Sequence, residues 1–216
     1  MITLYTWTTP NGRKPTILLE ELSIPYRIEA VNIGEGQQFT PEFLAISPNN
    51  KIPAIVDEDA EGGALPLFES AAILIYLAEK HQRFLAPSGP ARYKALEWLS
   101  WQIGGLGPML GQLGYFERAE EKSEQALKRF REEAERLLNV MEKQLAAAPY
   151  LAGSEYTIAD IAAYPWVRAA EERLKGALGT QIETSPALQR WLTLVGERPA
   201  VQRGMALPKV GLIGVC

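Results

Sequence analysis

Up to about residue 85 the apolar positions come in short runs split by turn residues; beyond it they recur at helical spacing over long stretches. Ile2-Thr-Leu-Tyr-Thr6 is short, β-branched and aromatic, and reads as a strand. Thr8-Thr-Pro-Asn-Gly12 follows as a turn, and a helix with Pro15 in its first turn is expected to reach about Leu22. Tyr26 to Asn32 alternates and reads as a second strand, Gly34 to Gln38 as a loop, and Pro41 to Ser47 as one or two helical turns. Ala54-Ile-Val56 and Leu65-Pro-Leu-Phe68 are two further strands joined by an acidic, glycine-bearing turn, and Pro66 puts the last at a sheet edge. Ser70 to Lys80 predicts a helix with Ile73, Leu74 and Leu77 on one face.

The second part predicts helices only. Ala91 to about Phe116 is helical but interrupted by Gly104-Gly105-Leu106-Gly107-Pro108, where glycine allows close approach and Pro108 kinks the chain; such a stretch can face a cleft or a dimer partner. Ala126, Phe130, Leu137, Met141 and Leu145 mark a long amphipathic helix whose stripe reads as core. Thr157-Ile-Ala-Asp160 resembles a capping box, and Pro186 to Arg198 is a further helix with Pro199 just after it. His81 is expected to be a solvated helix-end residue. The segment Leu85 to Ala91, with two prolines and a glycine, reads as a linker. The expected domains are therefore 1–84 and 92–216, the first α/β and the second all-α. The order β-α-β-α-β-β-α gives the first a thioredoxin-like layout.

Composition narrows the function. Residues 1–85 hold 6 Lys/Arg and 11 Asp/Glu, and the whole chain of 216 residues has a net charge of −4, against a nucleic-acid binder. The opening MITLYTW shows no signal-peptide pattern and no run suits a membrane span, so a cytoplasmic protein is expected, with no membrane partner. The one cysteine, Cys216, excludes an intrachain disulfide, a CxxC pair and a cysteine zinc site, and any histidine catalyst or metal site would have to use the one histidine, His81. No metal is expected.

Three segments carry candidate chemistry: Thr8-Thr-Pro-Asn-Gly12, Ser47-Pro-Asn-Asn-Lys-Ile-Pro53 and Leu67-Phe-Glu-Ser70. Together they resemble the N-terminal domain of a glutathione transferase. The loop Gly36-Gln-Gln-Phe39 and the run Trp101-Gln-Ile-Gly-Gly-Leu-Gly-Pro-Met-Leu-Gly-Gln112 are similar to the bacterial nu class, noted for glutathione-dependent disulfide-bond reductase activity. The resemblance spans residues 1 to about 205. It implies glutathione as co-substrate, a small-molecule disulfide or electrophile as second substrate, and a homodimer.

Each candidate residue has a physical rationale and a plain alternative. X-Pro bonds are cis only about 5–6% of the time, so the sequence alone predicts a trans Ile52–Pro53 bond, whereas the resemblance implies cis. In a cis turn the Ile52 backbone can pair an extended peptide such as glutathione; the alternative is an ordinary turn before a strand. Glu69 suits the glutathione ammonium, and Ser70 with its neighbouring amide suits the γ-glutamyl carboxylate at a helix start; the alternative for Ser70 is an N-cap. Gln38 can serve the glycyl end as an amide donor. Lys51 is a second candidate there, or a solvated lysine. Arg129 is placed near glutathione by the resemblance, with a solvated helix face as its alternative.

Thr9 and Asn11 are the catalytic candidates. A free thiol has a pKa near 8.5, and lowering it by about two units takes roughly 2.7 kcal/mol of differential stabilisation. A hydroxyl, an amide and a helix N-terminus can supply that; the alternative is a helix cap with Asn11 bonding backbone. Tyr5 is a rival activator whose strand position favours the core, and Trp7 can line a pocket or pack. The expected enzyme is a disulfide-bond oxidoreductase of glutathione transferase type. Conjugation to electrophiles and a non-catalytic binding module are the rivals.

Overall fold

The computed structural model describes residues 1–209; Cys216 and the rest of its apolar tail lie outside them. The chain divides into two units, Met1–Arg83 with the segment from Arg198 onward, and Phe84–Glu197. The first unit thus gathers a C-terminal segment that a boundary drawn on composition leaves with the helical domain.

In the first unit the elements are β1 (Ile2–Thr6), α1 (Pro10–Leu22), β2 (Tyr26–Ala30), α2 (Pro41–Leu44), β3 (Ala54–Asp57), β4 (Leu65–Phe68) and α3 (Ser70–Lys80). The sheet order is β2-β1-β3-β4. β1 runs parallel to β2 and antiparallel to β3, with Leu4 opposite both Ile28 and Ile55. β4 closes one edge, where Pro66 is tolerated because no further strand needs its missing N–H. Leu4, Ile55, Ile17, Leu18, Ile73, Leu74 and Leu77 are fully buried and join sheet to helices.

Two differences from the sequence reading concern helices. Helix α1 starts at Pro10, not near Pro15, because Thr9 caps it: the Gly12 N–H donates to Thr9 Oγ1 at 3.1 Å. Gly12 is needed for packing rather than for a turn, since a Cβ there would sit 2.1 Å from the Trp7 carbonyl oxygen. Pro199, just after the expected helix 186–198, opens one more helix, Pro199–Met205. That helix lies against α1, where a Cβ on Gly204 would come within 2.6 Å of Ile17 Cα. Arg198 clamps Glu21 with two hydrogen bonds of 2.6 and 2.8 Å. His81 ends α3 partly buried rather than solvated, and burial lowers its imidazole pKa.

The second unit is helical. α4 (Gly89–Trp101) passes through a π-helical turn, Gln102–Leu106, into α5 (Gly107–Arg118), followed by α6 (Glu124–Ala147), α7 (Ile158–Arg173), α8 (Lys175–Leu178) and α9 (Pro186–Gly196); the terminal helix Pro199–Met205 is α10. The close approach allowed by glycine is internal: Cβ atoms on Gly107 and Gly111 would each lie 3.3 Å from Trp166 of α7. The capping box at α7 is present, and buried Asp160 also accepts the Trp191 Nε1–H at 2.9 Å. On α6 the buried stripe includes Leu137, Met141 and Leu145, as the spacing predicts.

Candidate functional site

The start of α1, the turn before β3 and the junction of β4 with α3 meet at one cleft. It holds about 140 Å³ and is lined by Asn11, Lys51, Ile52, Pro53, Phe68, Glu69 and Ser70. The turn is ordered by its own side chains. Buried Ser47 donates its hydroxyl to the Lys51 carbonyl at 2.8 Å, and Asn50 adopts a left-handed φ of 49°. The Ile52–Pro53 bond is cis, as the resemblance implied and the base rate did not. Ile52 also packs against the Val31, Phe43 and Ala54 cluster, so the cleft wall is anchored in the core.

Glu69 precedes α3 with φ 72° and ψ 115°, a conformation costly for a residue with a Cβ. Its exposed carboxylate stands beside the helix start. Ser70 is the first helical residue and not the N-cap that its residue type suggested; Glu69 occupies that place without a side-chain cap bond. Ser70 is buried, and its Oγ accepts from Lys14 Nζ at 3.3 Å. The cleft therefore combines an exposed carboxylate, a hydroxyl at a helix N-terminus, an amide side chain and a strand-edge turn. Such a set suits a short peptide with one ammonium and at least one carboxylate.

Of the residues singled out from sequence, Asn11, Lys51, Ile52, Pro53, Glu69 and Ser70 line this cleft. Thr9 does not line it: it caps α1, its Oγ1 accepting from Gly12, which leaves the hydroxyl proton for another acceptor. Gln38 does not line it either; its Nε2 donates to the Ile33 carbonyl at 3.3 Å within its own loop. Arg129 is exposed on α6 in the second unit, beside a groove that also includes Met109, Lys128 and Arg136. Tyr5 packs on Phe43 with ring centroids 6.2 Å apart. Burial, then Glu29 and Glu58, push its phenol above the ordinary tyrosine range, which opposes a phenolate role.

Two residues escaped sequence reasoning. Phe68 supplies the apolar wall of the cleft. Lys14 is 1% exposed, and burial lowers its amino group to about 7 against the pull of Glu69. A signal for it existed: Lys14 sits three and four positions before Ile17 and Leu18, on the buried face of α1. Among the described residues no cluster of three or more His, Cys, Asp or Glu could hold a metal ion, and no helix is long and apolar enough to cross a membrane.

Comparisons with known proteins agree over most of the chain. A family model described as glutathione S-transferase, N-terminal domain, matches residues 8–80, and the corresponding C-terminal domain model matches 106–199. The disulfide-bond oxidoreductase YfcG of Escherichia coli (strain K12) is 49% identical, over 98% of this chain and 97% of its own. The disulfide-bond oxidoreductase YghU of the same organism is 42% identical, over 93% of this chain and 73% of its own. The crystal structure of a glutathione transferase from Pseudomonas putida, with one glutathione disulfide bound per subunit, superposes with a TM-score of 0.91 at 42% identity, covering 96% of this chain and 91% of that one.

Proposed function

The chain belongs to the glutathione S-transferase family, and from that premise we propose that it binds glutathione in the cleft of the first unit and uses its thiolate to reduce disulfide bonds of small molecules. The observation that carries the reading is the convergence of Asn11, Ile52, Glu69 and Ser70 on one cleft. The relatives named disulfide-bond oxidoreductases support the choice of reaction.

In this reading Glu69 takes the γ-glutamyl ammonium, and Ser70 with the start of α3 takes the adjoining carboxylate. Ile52 pairs the cysteinyl backbone, and Lys51 and Gln38 serve the glycyl carboxylate. Asn11 and Thr9 stabilise the thiolate by donating hydrogen bonds to sulfur. The thiolate attacks one sulfur of the disulfide, forming a mixed disulfide with glutathione and expelling the other sulfur as a thiolate. A second glutathione thiolate then attacks the glutathione sulfur of the mixed disulfide. The products are glutathione disulfide and two thiols, and the two protons released by glutathione are returned to the expelled thiolates. No cysteine among the described residues takes part.

Arg129, assigned to glutathione by the resemblance, belongs to this reading as a further cation for the peptide. A twofold homodimer and a cytoplasmic setting belong to it as well: Tyr93 and Tyr115, 69% and 63% exposed, leave aromatic surface for a partner to cover, and a single cysteine suits a reducing compartment. Steady-state turnover with glutathione and a model disulfide, run beside a model aryl electrophile, tests the proposal. Disulfide reduction well above conjugation is expected. Conjugation alone would replace the reaction, and no turnover with either would leave a binding module.

A further inference from the structure

We propose that Lys14 is a positioning residue of the cleft, holding the Ser70 hydroxyl so that its proton is donated to the γ-glutamyl carboxylate. The inference rests on the glutathione reading and adds to it a residue that does not line the cleft. Lys14 is buried on α1, and its Nζ lies 3.3 Å from Ser70 Oγ. An ammonium has three donors and no acceptor. With Lys14 charged, Ser70 Oγ accepts from it at 3.3 Å, and the serine proton is left for another acceptor. Ser70 lines the cleft at the first turn of α3, where helix N–H groups favour an anion. A carboxylate placed there accepts the serine proton and sets a negative charge one hydroxyl away from the lysine.

The energetics point the same way. A buried ammonium is costly without a counter-charge. Glu69, just before α3, opposes the effect of burial on Lys14 yet leaves the amine at about 7. Glu69 is exposed, and in the proposed function its charge is engaged with the ligand ammonium. A carboxylate on Ser70 adds negative charge one hydroxyl away from Lys14 and favours the charged lysine, so ligand and lysine stabilise each other through the serine.

The test compares glutathione with an analogue in which γ-aminobutyryl replaces γ-glutamyl, which lacks only the carboxylate in question. Calorimetric affinities are measured for wild type, Lys14→Met, Ser70→Ala and the double variant, with Lys14→Gln as a second variant should the Met protein fail to fold. Lys14→Met is expected to weaken glutathione by about 10-fold, the loss of one charge-assisted contact, and to leave the analogue within about twofold. The double variant should lose less than the product of the two single losses, because both act on one contact. Lys14→Gln keeps a donor to Ser70 without the charge and should fall between wild type and Lys14→Met. A folded Lys14 variant that binds glutathione as wild type does, or that weakens both ligands equally, overturns the inference. Wild-type protein that binds neither ligand overturns the glutathione reading itself, and the inference with it.

Discussion

Replacing Glu69 by glycine should make the protein more stable and a poorer binder at once. Glu69 holds φ 72° and ψ 115°, and a residue with a Cβ in such a sparsely populated region costs on the order of 1–3 kcal/mol. Glycine removes that strain but gives back roughly 0.5–1 kcal/mol through the greater entropy of the unfolded chain. The net gain is on the order of 1 kcal/mol, a rise in Tm of about 2–4 °C for a chain of this size. Binding moves oppositely. A hydrogen bond to a charged group contributes about 1.5–3 kcal/mol, and because the Glu69 side chain is exposed the loss belongs at the low end, about 10-fold in Kd. Glu69→Gln separates the two effects: it keeps the Cβ and the strain, so its Tm should stay close to wild type while its affinity falls similarly. Thermal unfolding without ligand and calorimetry with glutathione read both. A glycine variant no more stable than wild type would refute the strain argument, and unchanged affinity in both variants would refute the ammonium assignment.

Other expectations follow from other parts of the fold. Asn11→Ala should lower turnover roughly 10–100-fold at neutral pH by removing a donor to the developing thiolate, and part of the loss should return as pH rises; Tyr5→Phe should change turnover little, and the reverse pattern in steady-state rates would favour a tyrosine-activated mechanism. Gly204→Ala forces a Cβ to within 2.6 Å of the Ile17 backbone and should cost about 1–3 kcal/mol in denaturant unfolding. Asp57 is driven up by burial but held down more strongly by hydrogen bonds from Lys80, Tyr76 and the Asp59 amide, so its carboxyl lies below the ordinary range. Its stabilising contribution is therefore present above the unfolded pKa of about 3.9 and is lost as pH falls through the lower folded value; Asp57→Asn should lower Tm at pH 7, and the gap should close in acid.

The sheet, its edge strand and the long helices were legible because they rest on local patterns. Pro66 named its own edge, and Leu137, Met141 and Leu145 kept helical spacing. The start of α1 was not legible, because Asn11-Gly12 looks like a turn until Thr9 is seen to cap it. The α1–α10 contact was hidden as well: Gly204 and Ile17 are far apart in sequence, and no local pattern announces a close approach of two backbones. At the site, Glu69 and Ser70 were marked by ligand charge, Asn11 as an amide donor and Ile52 for its backbone, and the fold brings all four to one cleft. The conformation of Glu69 and the bond from Lys14 to Ser70 depend on tertiary packing, so neither could be read from the chain alone. Gln38 and Thr9, marked as an amide and a hydroxyl donor, do not line the cleft, and Arg129, marked through the resemblance, lies on α6 of the second unit.

The central claim is that glutathione supplies the attacking thiolate and that the protein lowers its pKa. Titrating the ultraviolet thiolate absorbance of glutathione bound to the Cys216→Ser protein measures this directly, with Asn11→Ala alongside. The account predicts a bound thiol that ionises about two units below the free value near 8.5, and a return toward that value in the alanine variant. A bound thiol that titrates like free glutathione in both proteins would contradict it.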